Sequence, residues 1–307
     1  MLNKIKSFIL QTAYQITPFD LEGDACFFDR PNKNNIKISC VINFYGRLDL
    51  LGGILYSLTA QEYPRKQFEV ILIEDQGGTA AGREFCESFA DRLPIRYLPL
   101  DNNFGHMGYS RNFGLAQACG EFVLFLDDDT VFLQNDLLLQ IEKAFAVNLD
   151  VDALMPRGRA SFAVWPGGYD FHDPHFMTSR CTAYRHSVLQ ELGGFMSDFV
   201  GQEDVEFVVR FTLSGKKAVP LPEQEYFHPP LLIPNLKKPA AVGISFSRLR
   251  GRYSFLMLWL TALNCSRHFP LLLSPKRHHR EMGRFAVGFF TGFLRGWFQP
   301  QSQARYG

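Results

Sequence analysis

Apolar and polar positions along the chain follow two periods in alternation. Ile38 to Phe44, Phe68 to Ile73 and Phe122 to Leu126 are short and almost wholly apolar. Runs of that length, apolar throughout, predict strands buried on both faces. Between them, Arg47 to Thr59 and Tyr109 to Cys119 place apolar residues near helical spacing, and Tyr63-Pro64 closes the first of these helices. Further along, the pattern predicts helices over 80–92, 137–147, 187–192 and 202–213. It predicts short strands over 95–98, 153–156 and 218–221. Asp101 to Gly108 and Gly158 to His175 read as loops, and Gly215 caps the last of these helices. Strand and helix alternate, which predicts an α/β fold: a Rossmann-like mixed, mostly parallel sheet with helices on both faces.

The pattern changes at both ends. Residues 1–36 read as an extension, with a short amphipathic piece from Ile5 to Tyr14 and a polar turn from Asp29 to Asn35. Residues 37–236 hold the alternating body. Residues 237–307 form a different kind of tail. Tyr253 to Leu263 is almost wholly apolar, Lys276 to Arg280 is basic, and Phe285 to Phe298 is aromatic and glycine-containing. Charge sharpens this boundary. The net charge is +1, but 12 Lys and Arg against one acid, Glu281, fall in the tail. That leaves 20 basic and 30 acidic residues in the first 236. An acidic body joined to a basic, aromatic tail predicts amphipathic helices lying on an anionic membrane surface; the alternative is a helical cap packed on the body. Nucleic acid is not an expected partner. The 46% apolar content excludes a disordered chain. Six scattered cysteines without a CxxC pair read as small core residues in a reducing compartment. No signal peptide is apparent, and no apolar stretch is long enough to span a bilayer. The expected location is the cytoplasm, peripherally associated with the inner face of the membrane.

Candidate chemistry lies at the carboxyl ends of the strands. The run that ends in Leu126 delivers Asp127, Asp128 and Asp129. Three adjacent carboxylates repel one another, and hard oxygens so placed suit Mg²⁺ or Mn²⁺ carrying a phosphate. Glu74 and Asp75 follow the second strand, and Glu203 and Asp204 open a later helix. A lone acidic pair is usually a solvated strand end or a first-turn helix charge. Three such clusters in one α/β body point to a ligand site beyond the carboxyl ends of the strands.

With these residues in view, the chain from about Ile38 to His228 resembles the inverting family 2 glycosyltransferases of the GT-A fold. Val41 to Tyr45 is similar to the family's opening strand, although Asn43-Phe44 replaces its usual Pro-Thr. Ser57 to Gln61 with Tyr63-Pro64 matches the helix that follows. Val70 to Asp75 matches the strand whose terminal acid reads the nucleotide base, although Gln76-Gly77 follows where Gly-Ser is usual. Asn103, Gly105, Arg111, Asn112 and Gly114 match the donor-side loop and helix, and Asp127-Asp128-Asp129 matches the Asp-x-Asp motif. Leu192 to Phe195 and Gly201 to Asp204 match the acceptor-side motifs.

The resemblance implies transfer of a sugar from a nucleotide-diphosphate sugar to an acceptor hydroxyl, with inversion. The charge of the tail, facing a membrane, points to a glycan or lipid-linked acceptor of cell-surface polysaccharide or glycolipid synthesis. The resemblance implies Tyr45, Glu74, Asp75, Asn103, Gly105, Arg111, Asp127 and Asp128 around the nucleotide sugar. It implies a divalent ion, Mn²⁺ or Mg²⁺, at Asp127, Asp129 and His228. Asp204 is the implied general base and Glu203 its positioning neighbour. A lone His before Pro-Pro is more often structural, and Arg111 is as readily a structural ion pair. Two other readings stay open: a sugar nucleotidyltransferase, although Asn43 to Gly46 is not its Gly-rich basic loop, and a non-catalytic sugar-nucleotide-binding relative.

Overall fold

The computed structural model describes residues 2–26, 35–162, 165–171 and 173–301. In chain order the elements are α1 (Leu2–Ile16), β1 (Ile38–Phe44), α2 (Leu48–Thr59), β2 (Phe68–Glu74), α3 (Ala80–Glu87), β3 (Ile95–Pro99), α4 (Met107–Gln117), β4 (Phe122–Asp127), β5 (Val131–Phe132) and α5 (Leu137–Val147). Then follow β6 (Ala153–Phe162), β7 (Trp165–Asp170), β8 (Cys181–Arg185), α6 (His186–Glu191), α7 (Glu203–Leu213), β9 (Ala218–His228), α8 (Lys237–Ser247), α9 (Phe255–Ser266) and α10 (Arg277–Phe298).

The strands form one mixed sheet in the order β3-β2-β1-β4-β8-β6-β9-β5, with β7 paired to β6. The first four run parallel. β8 lies antiparallel to β4, and beyond it β6 and β9 run parallel to each other. The apolar runs behave as fully buried strands must. Successive residues of β1 and β4 face opposite sides, so that Cys40, Ile42, Leu124 and Leu126 join the core beneath α2, α3 and α5. Val41, Val123 and Phe125 join the core beneath α4, α6 and α7.

The structure corrects several element expectations. The helix expected over 80–92 stops at Glu87. The strand expected over 153–156 runs on to Phe162 and pairs with β7, inside the segment read as a loop. The strand expected over 218–221 continues to His228. Pro220 and Pro222, with the polar run Glu223 to Glu225, hide that strand from a pattern search. Its backbone is satisfied by pairing with β6 across a register shift after Pro156. β8, β5 and α8 were not foreseen.

The tail closes over α7 and α1. Phe246, Met257, Phe289 and Phe293 are fully buried in a third core shared with Ala13, Phe19, Phe199 and Val200. Its glycines serve helix packing. A Cβ at Gly243 would lie 2.0 Å from the Phe289 carbonyl oxygen, and one at Gly292 2.0 Å from that of Ala240. Only bare backbone lets α8 and α10 approach so closely. The packed cap, the alternative to an interfacial tail, thus accounts for one face of these helices. The other face still exposes Phe255, Leu263, Phe269, Leu273 and Phe298. Among the described residues no helix is long and apolar enough to cross a membrane.

Candidate active site

Parallel pairing aligns the acidic strand ends. Asn43 of β1 is in register with Asp127 of β4, and Phe44 with Glu74 of β2. The carboxyl ends of three adjacent strands therefore face one opening, on the side where open α/β sheets bind ligands.

Asp127 is the last residue of β4, and Asp129 sits in the turn after it. His228, at the far end of β9, reaches both: its Nε2 lies 3.3 Å from Asp127 Oδ2 and 3.0 Å from Asp129 Oδ1. The ring's Nδ1 stands 2.6 Å from the Pro229 carbonyl oxygen. A carbonyl only accepts, so Nδ1 carries the proton and Nε2 is the nitrogen turned to the acids. Burial opposes a charge on His228, yet the Asp127 and Asp129 carboxylates beside Nε2 outweigh burial and raise its pKa. The same contacts, with Arg111 at Asp127, hold both aspartates below the usual carboxylate range despite their burial.

These three side chains fit a metal. Their ligand atoms all lie within 4.8 Å of one another. Asp129 Oδ1 is buried without a well-directed hydrogen bond, although Nε2 is close. Two carboxylates and an imidazole nitrogen converging on one point form a donor set for a divalent cation.

Arg47, in the turn after β1, grips the other acids. Its guanidinium pairs with Asp128 Oδ1 and lies 2.9 Å from Asp129 Oδ2. Asp128 is nevertheless pushed up to about 7, by burial first and then by its acidic neighbours, against the pull of Arg47.

Arg111 links the two halves of the opening. Nη2 donates to Asp127 Oδ1 at 2.8 Å and Nε to Glu203 Oε1 at 2.6 Å. Its carboxylate partners outweigh burial and keep it charged, while Nη1 is buried without a hydrogen-bond partner. Both readings of Arg111 thus meet in one residue, an ion pair that is also part of the cleft wall. Glu203 is buried against it. Asp204, half-buried on the next position of α7, accepts from the Ser179 amide at 3.2 Å and the Val205 amide at 2.8 Å. Burial raises its pKa, against the pull of Arg111 and Arg180.

The Leu192-Gly193-Gly194-Phe195 motif explains how α7 is held. Arg210, fully buried on α7, pairs with Glu206 and donates to the carbonyls of Leu192 and Gly194. Gly193 and Gly194 both have positive φ, 62° and 60°, a backbone region that favours glycine. Asn112 clasps Phe195 through its amide and its carbonyl.

The remaining expected donor residues divide. Asp75 is half-buried and ties the loop after β2 to the loop before α4, accepting from the Gly105 amide at 2.8 Å. Asn103 takes a left-handed φ of 51° in that second loop, and Tyr45 stands 56% exposed beside Arg47. All four lie near the sheet's opening but outside the cleft that holds the acids. Glu74 is a correction. It is fully buried and accepts from the Thr79 amide, the Thr79 hydroxyl and the Tyr97 hydroxyl. Strand alternation turns it away from Asp75 and under α3, where it holds the loop and no carboxylate oxygen is left for a ligand.

Sequence reasoning missed Arg47, Asn43 and Arg180, which also line the cleft. Arg47 is the one charge in the turn after the opening strand, and that position was its available signal. Arg180 gave none, because β8 was not foreseen.

The profile of Glycosyl transferase family 2 matches residues 39–193, half of the chain. The chain belongs to that family. It is 34% identical over 94 residues to the poly(ribitol-phosphate) beta-N-acetylglucosaminyltransferase TarS of Staphylococcus aureus. The match covers 31% of this chain and 16% of TarS, so the chain spans about a sixth of that relative. It is 27% identical over 187 residues to the uncharacterized glycosyltransferase YwdF of Bacillus subtilis, covering 57% of this chain and 68% of YwdF. Among solved structures, S. aureus TarS 1–349 in complex with UDP-GlcNAc superposes with a TM-score of 0.56 at 17% identity, covering 87% of this chain and 93% of that one. Mannosyltransferase PcManGT from Pyrobaculum calidifontis, in complex with GDP-Man and Mn²⁺, gives 0.59 at 14% identity, covering 97% and 95%. At these identities the likeness establishes a shared fold, the GT-A fold expected of this family.

Proposed function

We propose that this family 2 chain transfers a sugar from a nucleotide-diphosphate sugar to an acceptor hydroxyl, with inversion, in the synthesis of a cell-surface polysaccharide or glycolipid. One observation carries the reading: Asp127, Asp129 and His228, converging as a possible metal donor set, line the same cleft as Asp204, and Arg111 bridges Asp127 to Glu203. Inversion needs one in-line displacement. The acceptor oxygen forms a bond to the anomeric carbon as the bond to the diphosphate oxygen breaks, and Asp204 takes the hydroxyl proton. The raised pKa of Asp204 makes it a stronger base while it remains ionised. Glu203, held by Arg111, fixes its neighbour at the start of α7. We assign Asp75 and Tyr45, near the sheet's opening, to the nucleotide base, and Arg47, which holds Asp128 and Asp129, to the diphosphate.

A divalent cation held by Asp127, Asp129 and His228 supplies positive charge against the charge that grows on the departing diphosphate. We assign it as Mn²⁺ or Mg²⁺, with the imidazole favouring Mn²⁺. A thermal-shift screen tests the reading. UDP- and GDP-sugars with Mn²⁺ should raise the melting temperature, because ligands that bind only the folded chain stabilise it. The matching donor should also be consumed when acceptor is present. Stabilisation without turnover of any donor would favour the non-catalytic alternative.

We also propose that residues 237–307 act as a unit that seats the chain on an anionic membrane, on its cytoplasmic face. The exposed Phe255, Phe269, Leu273 and Phe298 beside the basic residues support this. The full chain is expected to sediment with phosphatidylglycerol vesicles at low salt and to be released as salt rises. Equal binding to neutral phosphatidylcholine vesicles would remove the charge argument.

A further inference from the structure

Asp127 has a neighbour on each side across the sheet. Asn43 of β1 is its register partner on one side. On the other side β8 runs antiparallel, with Cys181 opposite Leu126, so the residue that enters β8 stands beside Asp127. That residue is Arg180. Its carbonyl oxygen accepts from the Asp127 amide at 3.4 Å and from the Thr130 hydroxyl at 2.8 Å. One residue earlier, the Ser179 amide donates to Asp204 Oδ2. Two consecutive residues thus tie the assigned base to the strand end that carries the triad's acids.

The Arg180 side chain is half-buried and lines the cleft. Its guanidinium lies over the Phe171 ring, with Cζ 4.6 Å from the centroid. That ring packs on His228, with centroids 6.0 Å apart. The other arginines at the acids are matched: Arg47 holds Asp128 and Asp129, and Arg111 holds Asp127 and Glu203. Among the described residues the Arg180 guanidinium has neither an ion pair nor a hydrogen bond. A half-buried cation without a carboxylate is costly to hold, and an anion in the cleft would offset that cost. Its field already reaches both sides, since Arg180 pulls the Asp204 carboxyl down and opposes a charge on His228.

We propose that Arg180 is a further catalytic residue, which donates hydrogen bonds to the diphosphate as it departs, from the flank of β4 opposite Arg47. This rests on the transfer reading above and adds a residue to it. In the transfer the acceptor oxygen bonds to the anomeric carbon. The bond from that carbon to the diphosphate oxygen breaks, and its electron pair stays with the oxygen. The diphosphate gains one negative charge, the acceptor proton goes to Asp204, and Arg180 keeps its own protons. A contact whose partner gains charge during the step is stronger in the transition state than in the bound donor, so it raises the rate and not only the affinity.

Titration calorimetry of the full chain with Mn²⁺, at about pH 8 where a terminal phosphate is ionised, tests this. Free UDP and GDP carry the charge that the leaving group gains. UDP-glucose, UDP-GlcNAc and GDP-mannose are esters that lack it. Arg180→Gln and Arg180→Met are expected to weaken the diphosphate that the parent binds by about tenfold or more, the usual loss of a hydrogen bond to a charged group. The tightest ester should weaken by less than about threefold. Affinity for Mn²⁺ alone should not fall, because the triad is untouched. Should neither neutral variant fold, Arg180→Lys reads the same contact. A point charge in place of a planar fork should lose about threefold or more of the diphosphate affinity. Parental diphosphate affinity in the variants overturns the assignment and leaves the transfer reading standing. So does an equal loss for diphosphate and ester, which would make Arg180 a donor-binding residue only. If the parent binds no diphosphate or no ester, the transfer reading fails and the assignment of Arg180 falls with it.

Discussion

Asp204→Asn is expected to lower turnover by about 10²- to 10⁴-fold, the usual contribution of a well-placed general base, with donor affinity nearly unchanged. Asn keeps the size of the side chain and one oxygen, which can accept from the Val205 amide while the hydrogen bond from the Ser179 amide to the second carboxylate oxygen is lost. A modest fall in stability should therefore accompany the loss of basicity. Donor affinity should survive because the triad and Arg47 lie on the other wall of the cleft. Glu203→Gln should behave differently. Glu203 is fully engaged with Arg111 at 2.6 Å, so its loss should appear first as reduced stability, with a smaller fall in rate. Steady-state turnover, donor affinity and melting curves of both variants separate the roles. A dead Glu203→Gln enzyme beside an active Asp204→Asn enzyme would exchange them. A loss of donor affinity in Asp204→Asn that matches its loss of rate would place Asp204 in the donor site and leave the transfer without a base.

Asp129→Ala should remove the Mn²⁺-dependent part of nucleotide affinity and abolish transfer. Asp129 touches His228 Nε2 at 3.0 Å and Arg47 Nη1 at 2.9 Å. Its removal leaves Asp127 and His228 as two ligands, too few to hold a divalent ion against water. His228→Ala should weaken Mn²⁺ more than Mg²⁺, since a nitrogen ligand matters more to the former. Calorimetric titration of the metal, and of UDP with and without it, reads both effects apart from turnover. Metal-dependent UDP affinity at the parental level in Asp129→Ala would mean that the ion sits elsewhere.

Much of this architecture follows from local pattern. Five consecutive apolar residues before Asp127 have one comfortable place, a strand covered on both faces, and β4 occupies it. The acids follow at its carboxyl end because the chain must leave the sheet there. The order of strands and helices up to α5, apart from the two-residue β5, and the start of α7 at Glu203, were legible for the same reason: burial periods of two and 3.6 are written in the residues themselves. Glu74 shows the limit of that reasoning. As a strand-end acid it resembles Asp75, yet alternation turns it to the opposite face, where Thr79 and Tyr97 take up its carboxylate.

What only the tertiary structure decided is which distant residues meet. His228 lies about a hundred residues beyond Asp127, at the end of a strand interrupted by prolines and polar residues. It reaches the acids because pairing with β6 carries β9 to that point. Arg47 reaches Asp128 because β1 and β4 are adjacent, and Arg111 joins Asp127 to Glu203 because α4 and α7 cover the same face of the sheet. The tail's composition was visible, but composition does not say which face of a helix meets protein. The close approach of α8 and α10 at Gly243 and Gly292 exists only once the helices are placed. Residue types and their local periods determined the strands and the acidic clusters. Side-chain proximity across long stretches of chain depends on strand order and helix packing, and no local pattern encodes either.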